Sequence, residues 1–246
     1  MRLTKSWIIA RKDFKVFSKK KNIITTLVVI PLAVSILFPA VIEFAGRKSG
    51  GIAAAELPIL LPAFTIFYVI LAGITPTTLA SYSLVGEKVE KSLEPLLATP
   101  TTDGEILLGK GIAAFVPPMI AILGSSAILM ALMDFVTYGK LGYDYFPNQN
   151  SDIVFFLMVP LAVIMSVEWN VVVSSRVNDV RIAQQIGSLM ILPFAGIYVG
   201  GEMNLIDLSS ASNLLTIVVI LLVVDALMLY VARSTFRREE ILTKWR

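Results

Sequence analysis

The chain alternates between long apolar stretches and short charged ones. Six of the apolar stretches are long enough to cross a membrane as helices, since a helix rises about 1.5 Å per residue and the hydrocarbon core is about 30 Å thick. They cover residues 23–42, 57–86, 111–133, 153–175, 182–201 and 208–232. The pattern predicts an all-α integral membrane protein with six transmembrane helices, which form a single domain over residues 1–246.

The first 22 residues predict an amphipathic helix of a different kind. Leu3, Trp7, Ala10, Phe14 and Phe17 recur at spacings of three and four residues, so that a helix places them on one face. Lysine and arginine lie mainly off that face. The arrangement is typical of a helix that lies in the lipid headgroup region. The alternative is a solvated basic leader.

Lysine and arginine also indicate how the chain is oriented in the membrane. Of the 21 basic residues, 18 lie in alternate segments, namely 1–22, 86–110, 176–181 and 233–246. The other three, Arg47, Lys48 and Lys140, lie in the segments between. Because short cytoplasmic segments are enriched in basic residues, both termini are expected in the cytoplasm.

The composition agrees with a membrane protein and excludes several kinds of chemistry. Hydrophobic residues make up 56% of the chain and charged residues 16%, whereas a soluble domain carries about a quarter charged residues. The chain has no cysteine and no histidine, which excludes thiol catalysis, disulfides and the usual zinc sites. The net charge of +3 does not indicate nucleic-acid binding, because the basic residues flank the apolar stretches and do not form one face.

The segment between the second and third spans, residues 86–110, combines charges with a short leucine pattern. Its first charged residues are expected to continue the second span as a helix into water: Glu87, Lys88, Glu90 and Lys91. A short amphipathic helix with Leu93, Leu96 and Leu97 on one face follows, and Pro100 ends it. A compact charged helix between two membrane helices suits docking onto a cytoplasmic partner. An ordinary solvated connector is the alternative.

This segment resembles the ABC-2 family of permeases, the transmembrane subunits of ABC exporters with a type V exporter-like fold. The family carries an acidic–basic run, then Leu-Glu-x-Leu-Leu-x-Thr-Pro, then Glu-x-x-Leu-Gly-Lys at the entry to the next helix. The matching residues are Glu87, Lys88, Leu93, Glu94, Leu96, Leu97, Thr99, Pro100, Glu105, Leu108, Gly109 and Lys110. The chain departs from the family at Lys91-Ser92, often Gly-Thr, and at Asp103, where a basic residue is frequent. The basic N-terminal helix resembles the family's elbow helix, and residues 174–193 resemble its connection between spans four and five.

The resemblance implies a permease of the plasma membrane that works as a homodimer or as a pair with a related permease. Each copy would dock through residues 86–110, including a short coupling helix, onto a separate ABC ATPase subunit. That subunit would bind ATP and Mg²⁺, so that this chain is not an enzyme and holds no cofactor. The implied ATPase-coupling residues are Glu87, Glu90, Leu93, Glu94, Leu96, Leu97, Pro100, Glu105 and Lys110. A pattern similar to a P-loop at residues 104–110 lacks the following Ser or Thr that would hold Mg²⁺.

Two acidic residues lie inside predicted spans, Glu168 in the fourth and Asp225 in the sixth. Acids within a membrane are costly and by default suggest a function. Both residues are nearer the cytoplasmic ends of their spans, which also fits a structural position with a hydrogen bond to a neighbouring helix. If they are structural, Glu168→Gln and Asp225→Asn retain transport. If they are functional, they support the alternative hypothesis of a secondary transporter or ion-coupled antiporter.

A further pattern concerns helix packing in the fifth span. Gly196 and Gly200 form a GxxxG pattern, which allows two helices to approach closely. The pattern fits either the seam between two copies of the chain or packing within one copy. The leading functional hypothesis is an exporting permease. No sequence pattern indicates which substrate it exports.

The predicted orientation can be tested with single cysteines, because the native chain has none. We expect a membrane-impermeant maleimide to label intact cells at Lys48→Cys and Lys140→Cys. Lys19→Cys and Lys244→Cys should react only after the membrane is permeabilised, since both lie in strongly basic segments. Labelling of position 140 only after permeabilisation would contradict the predicted orientation.

Overall fold

The structure, a computed structural model, describes residues 3–48, 56–90, 99, 101–203 and 205–235, without the side chains of residues 22 and 45–48. These residues form a helical bundle and contain no strand. We number its helices α1 Leu3–Lys19, α2 Lys21–Lys48, α3 Leu57–Val89, α4 Asp103–Leu141, α5 Gln149–Arg176, α6 Val180–Glu202 and α7 Ala211–Thr235. Short irregular turns lie within three of them, at Tyr82–Gly86, Val154–Met158 and Ser188–Met190.

The six predicted membrane spans are confirmed as helices. Each of α2 to α7 is long and apolar enough to cross a membrane. The third span is much longer than the predicted 111–133, because α4 begins at Asp103 and ends at Leu141. A capping box at Thr102 starts this helix, and Gly142 ends it with a φ of 75°. An apolar pattern marks only the part of a helix that lies in lipid, whereas these caps mark its true ends.

The centre of the bundle is formed by α3 and α5. The most apolar parts of these two helices are 61% and 67% buried, against 22–33% in the other four spans. α3 packs against α4, α5 and α6, while α7 packs against α5. α1 and α2 both pack on α4. A movement of α3 or α5 would therefore change the packing contacts of most other helices.

A buried hydroxyl cluster joins α2, α3 and α4. The Ser35 hydroxyl and the Tyr68 hydroxyl lie 2.6 Å apart, and Ser35 Oγ donates to the Ser125 backbone carbonyl at 2.7 Å. Ser35 and Tyr68 are fully buried. Hydrogen bonds between membrane helices satisfy polar groups that would otherwise be costly in an apolar interior.

A second polar contact joins α3 to α5 and depends on a glycine in α6. Asn170 Nδ2 donates to Thr77 Oγ1 at 3.3 Å, and Asn170 Oδ1 accepts from Ser81 Oγ at 3.2 Å. Gly187 lies directly against this amide. A Cβ atom at Gly187 would collide with Asn170 Oδ1 and lie 2.9 Å from Thr77 Cγ2. The close approach of α6 therefore requires glycine at this position.

The N-terminal segment forms the predicted helix, but its apolar face is divided. Ala10 and Phe17 are buried against the bundle, whereas Leu3 and Trp7 are exposed. The face that packs on the protein includes polar residues that the apolar pattern leaves out, Ser6 and Asp13. α1 is thus held by the protein on one side and presents Leu3 and Trp7 to its surroundings.

The Gly187 contact yields a prediction about stability. We expect Gly187→Ala to destabilise the protein by about 1–3 kcal/mol, since an added methyl group overpacks the Asn170 contact. Gly124→Ala is a matched control in α4, because its Cβ would meet no atom within 4 Å. Thermal unfolding of the purified proteins in one detergent provides the measurement. Equal unfolding temperatures for the two variants would contradict the packing described at Gly187.

Candidate coupling site

The segment predicted to dock a partner begins where α3 ends. α3 continues through the turn Tyr82–Gly86 to Val89, as the charged residues after the second span predict. Glu90 is exposed at this end, with 58% of its side chain accessible, and its Oε1 lies 3.4 Å from Lys20 Nζ. The Lys20 ammonium also lies 4.0 Å from the centre of the Tyr82 ring. This end of α3 is therefore in contact with the junction of α1 and α2.

α4 begins within the last part of the segment, and Glu105 fixes that point. Glu105 N donates to Thr102 Oγ1 at 3.3 Å, while Thr102 N donates to Glu105 Oε2 at 3.0 Å. Each side chain thus satisfies a backbone donor of the other residue. Glu105 is buried, and these two hydrogen bonds make it part of the cap that begins α4.

A buried ion cluster joins the two ends of the segment to α1. We define it as Asp13 on α1, Ser83 and Glu87 on α3, and Lys110 on α4. Lys110 Nζ lies 2.7 Å from Glu87 Oε2 and 3.7 Å from Asp13 Oδ2. Ser83 Oγ donates to Asp13 Oδ2 at 2.6 Å, and Lys110 donates to the Ser83 backbone carbonyl. Three helices therefore meet at one ammonium group.

The charges of the ion cluster balance once Lys12 is included. Lys12 Nζ lies 2.7 Å from the other Glu87 oxygen, Oε1, and is partly exposed. Lys110 and Asp13 are only 2% and 3% exposed, so water screens their interaction little. Burial raises the pKa of Asp13, and the Lys110 ammonium and the Ser83 hydroxyl oppose that shift.

A glycine in the resembling motif allows α1 to reach the ion cluster. A Cβ atom at Gly109 would lie 2.7 Å from the Ser6 backbone oxygen and 2.8 Å from Ile9 Cβ. Both contacts are too short for real Cβ atoms. Gly109 therefore lets α1 and α4 approach closely enough for Asp13 to meet Lys110.

Lys88 connects the same end of α3 to the end of α5. Its ammonium donates to the Ser174 carbonyl at 2.5 Å and lies 3.4 Å from the carbonyls of Ser175 and Val177. These carbonyls terminate α5, where the partial negative charge of a helix favours a cation. Lys88 is only 4% exposed. The connection after α5 is thereby tied to the end of α3.

The structure brings part of the predicted coupling set together. Glu87 and Lys110 are directly paired, Glu105 caps α4, and Glu90 is exposed at the end of α3. The remaining members lie outside the described residues: Leu93, Glu94, Leu96, Leu97 and Pro100.

Sequence reasoning did not identify Asp13 or Ser83 as part of this site. One signal for Asp13 was available, because it is the only acidic residue among the eight basic ones of segment 1–22. An acid retained in such a segment indicates a specific basic partner. Ser83 carries no comparable signal, since hydroxyl residues are common near helix ends.

The other predicted residues lie elsewhere in the bundle. Glu168 and Asp225 are both buried, on α5 and α7. In the described part of the chain, no hydrogen bond reaches Glu168 Oε2 or either carboxylate oxygen of Asp225. Within the described residues, these atoms thus have no hydrogen bond of the kind that the structural interpretation expects, and whether the two acids are structural or functional stays a prediction. Gly200 is buried under Ile206, whereas Gly196 is exposed, and a Cβ atom there would meet nothing within 4 Å.

The ion cluster yields a prediction about stability. We expect Lys110→Met to destabilise the protein by about 3–5 kcal/mol, because it leaves Asp13 and Glu87 buried without their shared cation. Lys140→Met, at the exposed end of α4, is the matched control and should change stability little. Thermal unfolding in detergent measures both. An unfolding temperature for Lys110→Met equal to that of the wild type would contradict the role assigned to Lys110.

Comparison with known proteins agrees with the architecture. The family model for ABC-2 type transporters matches residues 4–201, from α1 through α6. No curated protein matches the chain significantly. The matched range contains five of the six apolar spans and the whole of the segment between α3 and α4. The chain therefore belongs to the ABC-2 type transporter family, as a transmembrane permease component of an ABC transporter.

Proposed function

We propose that this permease is one half of an exporter that a separate ABC ATPase drives by docking onto residues 86–110. ATP and Mg²⁺ bind to that ATPase, and the permease carries no catalytic residue. Two copies of the chain form the transport unit in the plasma membrane, with both termini in the cytoplasm. The observation that carries the proposal is the buried ion cluster at the base of the docking segment.

The ion cluster gives the segment a rigid base through which force can pass. The last residues of α3 and the first turns of α4 are joined by Glu87 and Lys110, so that the two ends of the segment move together. Asp13 adds α1, and Lys88 adds the end of α5. A displacement applied to the segment therefore acts on four helices at once, including the central pair α3 and α5.

The predicted coupling residues differ in burial, and this difference supports docking of an ATPase. Glu87, Glu105 and Lys110 are buried and hold the base, whereas Glu90 is exposed beyond it. The leucine pattern of Leu93, Leu96 and Leu97 follows directly in sequence. An apolar face beside acidic residues suits a groove on a partner protein, where leucine burial supplies affinity and the charges set orientation.

The exposed face of α6 supports a homodimer. Leu192 and Val199 are exposed on this helix, with Gly196 between them. Gly200 is used within the chain, since it packs under Ile206. The open position at Gly196 suits close approach by the same helix of a second copy.

The docking proposal predicts the effect of one substitution. Leu96→Asp should leave the permease folded, because the segment lies outside the apolar spans, but it should release the ATPase and stop ATP-dependent transport. Loss of one buried leucine removes about 1.5–3 kcal/mol, which corresponds to about ten- to a hundredfold in affinity. Copurification of the ATPase with the permease in detergent measures docking, and thermal unfolding checks the fold.

Leu205→Asp serves as the matched control. Leu205 is 75% exposed in the connection between α6 and α7, at the opposite end of the bundle from the docking segment. This variant should keep the ATPase at wild-type stoichiometry. If Leu96→Asp also retains the ATPase and transport continues, residues 86–110 are not the coupling element.

A further inference from the structure

A half-open cavity of about 330 Å³ lies between α4, α5 and α7. Most of its wall is apolar and includes Leu107, Gly111 and Phe115 from α4, Ile164 and Val171 from α5, and Leu229 from α7. The α4 residues lie in its first turns, so the cavity is at the same end of the bundle as the docking segment. It is separate from the ion cluster described above.

A buried carboxylate faces this apolar cavity. Glu168 lines the cavity and is only 7% exposed, yet its Oε2 atom has no hydrogen-bond partner in the described part of the chain. An ionised oxygen in such a position is costly unless a charge or a donor compensates for it. Apart from Arg233 the described wall is apolar, and none of its groups bonds to this oxygen, so that within the described residues the oxygen is open to a molecule in the cavity or to a proton.

The charges around Glu168 favour a cation with a single charge. Asp225 on α7 and Arg233 at the cavity rim both interact electrostatically with Glu168. Asp225 is also 7% exposed, and both of its carboxylate oxygens are without a partner among the described residues. Among the described residues, these two acidic groups and one arginine leave one net negative charge when both acids are ionised, a state that burial makes costly unless a cation is bound. A monovalent cation neutralises this group, whereas an anion would be repelled.

We propose that the cavity is a binding site for a lipophilic monocation, with Glu168 as its counter-charge. The apolar body of the ligand packs against α4 and α5, where it is removed from water, and its positive centre lies beside the free oxygen of Glu168. Asp225 adds to the negative potential at Glu168, and Arg233 limits the total charge of the described groups to one. The inference that such cations are the exported substrates rests on the proposed function. The inference that they bind in the cavity does not.

The site can be tested with tritiated tetraphenylphosphonium, which has a permanent positive charge and an apolar body. A scintillation proximity assay on the purified permease, without ATPase, measures its binding. We expect saturable binding by the wild type and at least a tenfold weaker affinity for Glu168→Gln. Glu202→Gln removes the same charge from an exposed helix end and should bind as the wild type does.

A second variant tests the cavity without changing any charge. Gly111 lines the cavity, and a Cβ atom there would meet nothing within 4 Å, so Gly111→Leu fills open space. It should also weaken binding at least tenfold. Gly124→Leu on the same helix, equally free of contacts at Cβ, is the matched control and should retain binding. If Glu168→Gln does not fold, Gly111→Leu still tests whether the ligand binds in the cavity.

Any of three results would overturn the proposal. The first is wild-type affinity in Gly111→Leu, and the second is an absence of saturable binding by the wild type. The third is displacement by neutral triphenylphosphine oxide as effective as that by unlabelled tetraphenylphosphonium, since the cavity would then take apolar molecules regardless of charge. Leu96→Asp should keep full binding. If that variant releases the ATPase while the wild type binds no tetraphenylphosphonium, the cation site alone is wrong and the docking proposal stands.

Discussion

The buried ammonium of Lys110 is the constraint on which the arrangement of α1, α3 and α4 depends. Burying an unpaired ammonium group in apolar surroundings costs much free energy, so the folded chain must place Glu87 and Asp13 beside Lys110. Those acids belong to different helices, and Gly109 lets α1 come close enough to complete the set. α1 is thus an integral part of the bundle. The end of α3 and the start of α4, which flank the segment predicted to dock a partner, are held together by this one group.

The polar residues inside the bundle fall into two sets with different consequences. The amide of Asn170 and the hydroxyls of Ser35 and Tyr68 have partners on neighbouring helices and hold the packing. Glu168 and Asp225 keep oxygen atoms without partners in the described residues, and Glu168 lines a cavity of about 330 Å³. Groups with partners stabilise one arrangement of helices, whereas a buried carboxylate without a partner gains stability when a ligand supplies a positive charge. This contrast separates the structural interior from the proposed cation site.

Local sequence patterns predicted the spans well but their ends poorly. Apolar stretches locate all six membrane helices, because partition into lipid depends on the composition of each stretch alone. The length of α4 was missed, although Thr102 and Glu105 carry the spacing of a capping box. For the coupling site, the motif selects Glu87 and Lys110 but does not show that they bind each other or Asp13. Leu93, Leu96 and Leu97 lie outside the described residues, so their role remains a prediction.

The amino-acid sequence alone predicts a six-span helical membrane protein, and its motif between spans two and three indicates the family that the family model then shows. Hydropathy and short motifs act over one helix or one loop, so they can be interpreted without knowing the neighbours. The tertiary structure alone decided which charges are paired and which are not. Lys110 has both acids within reach because three helices converge on it, while Glu168 faces a mainly apolar cavity that α4, α5 and α7 enclose. A buried charge stabilises the fold when neighbouring helices supply its partner, and it is available to a ligand when they do not. Sequence order does not specify which helices those neighbours are.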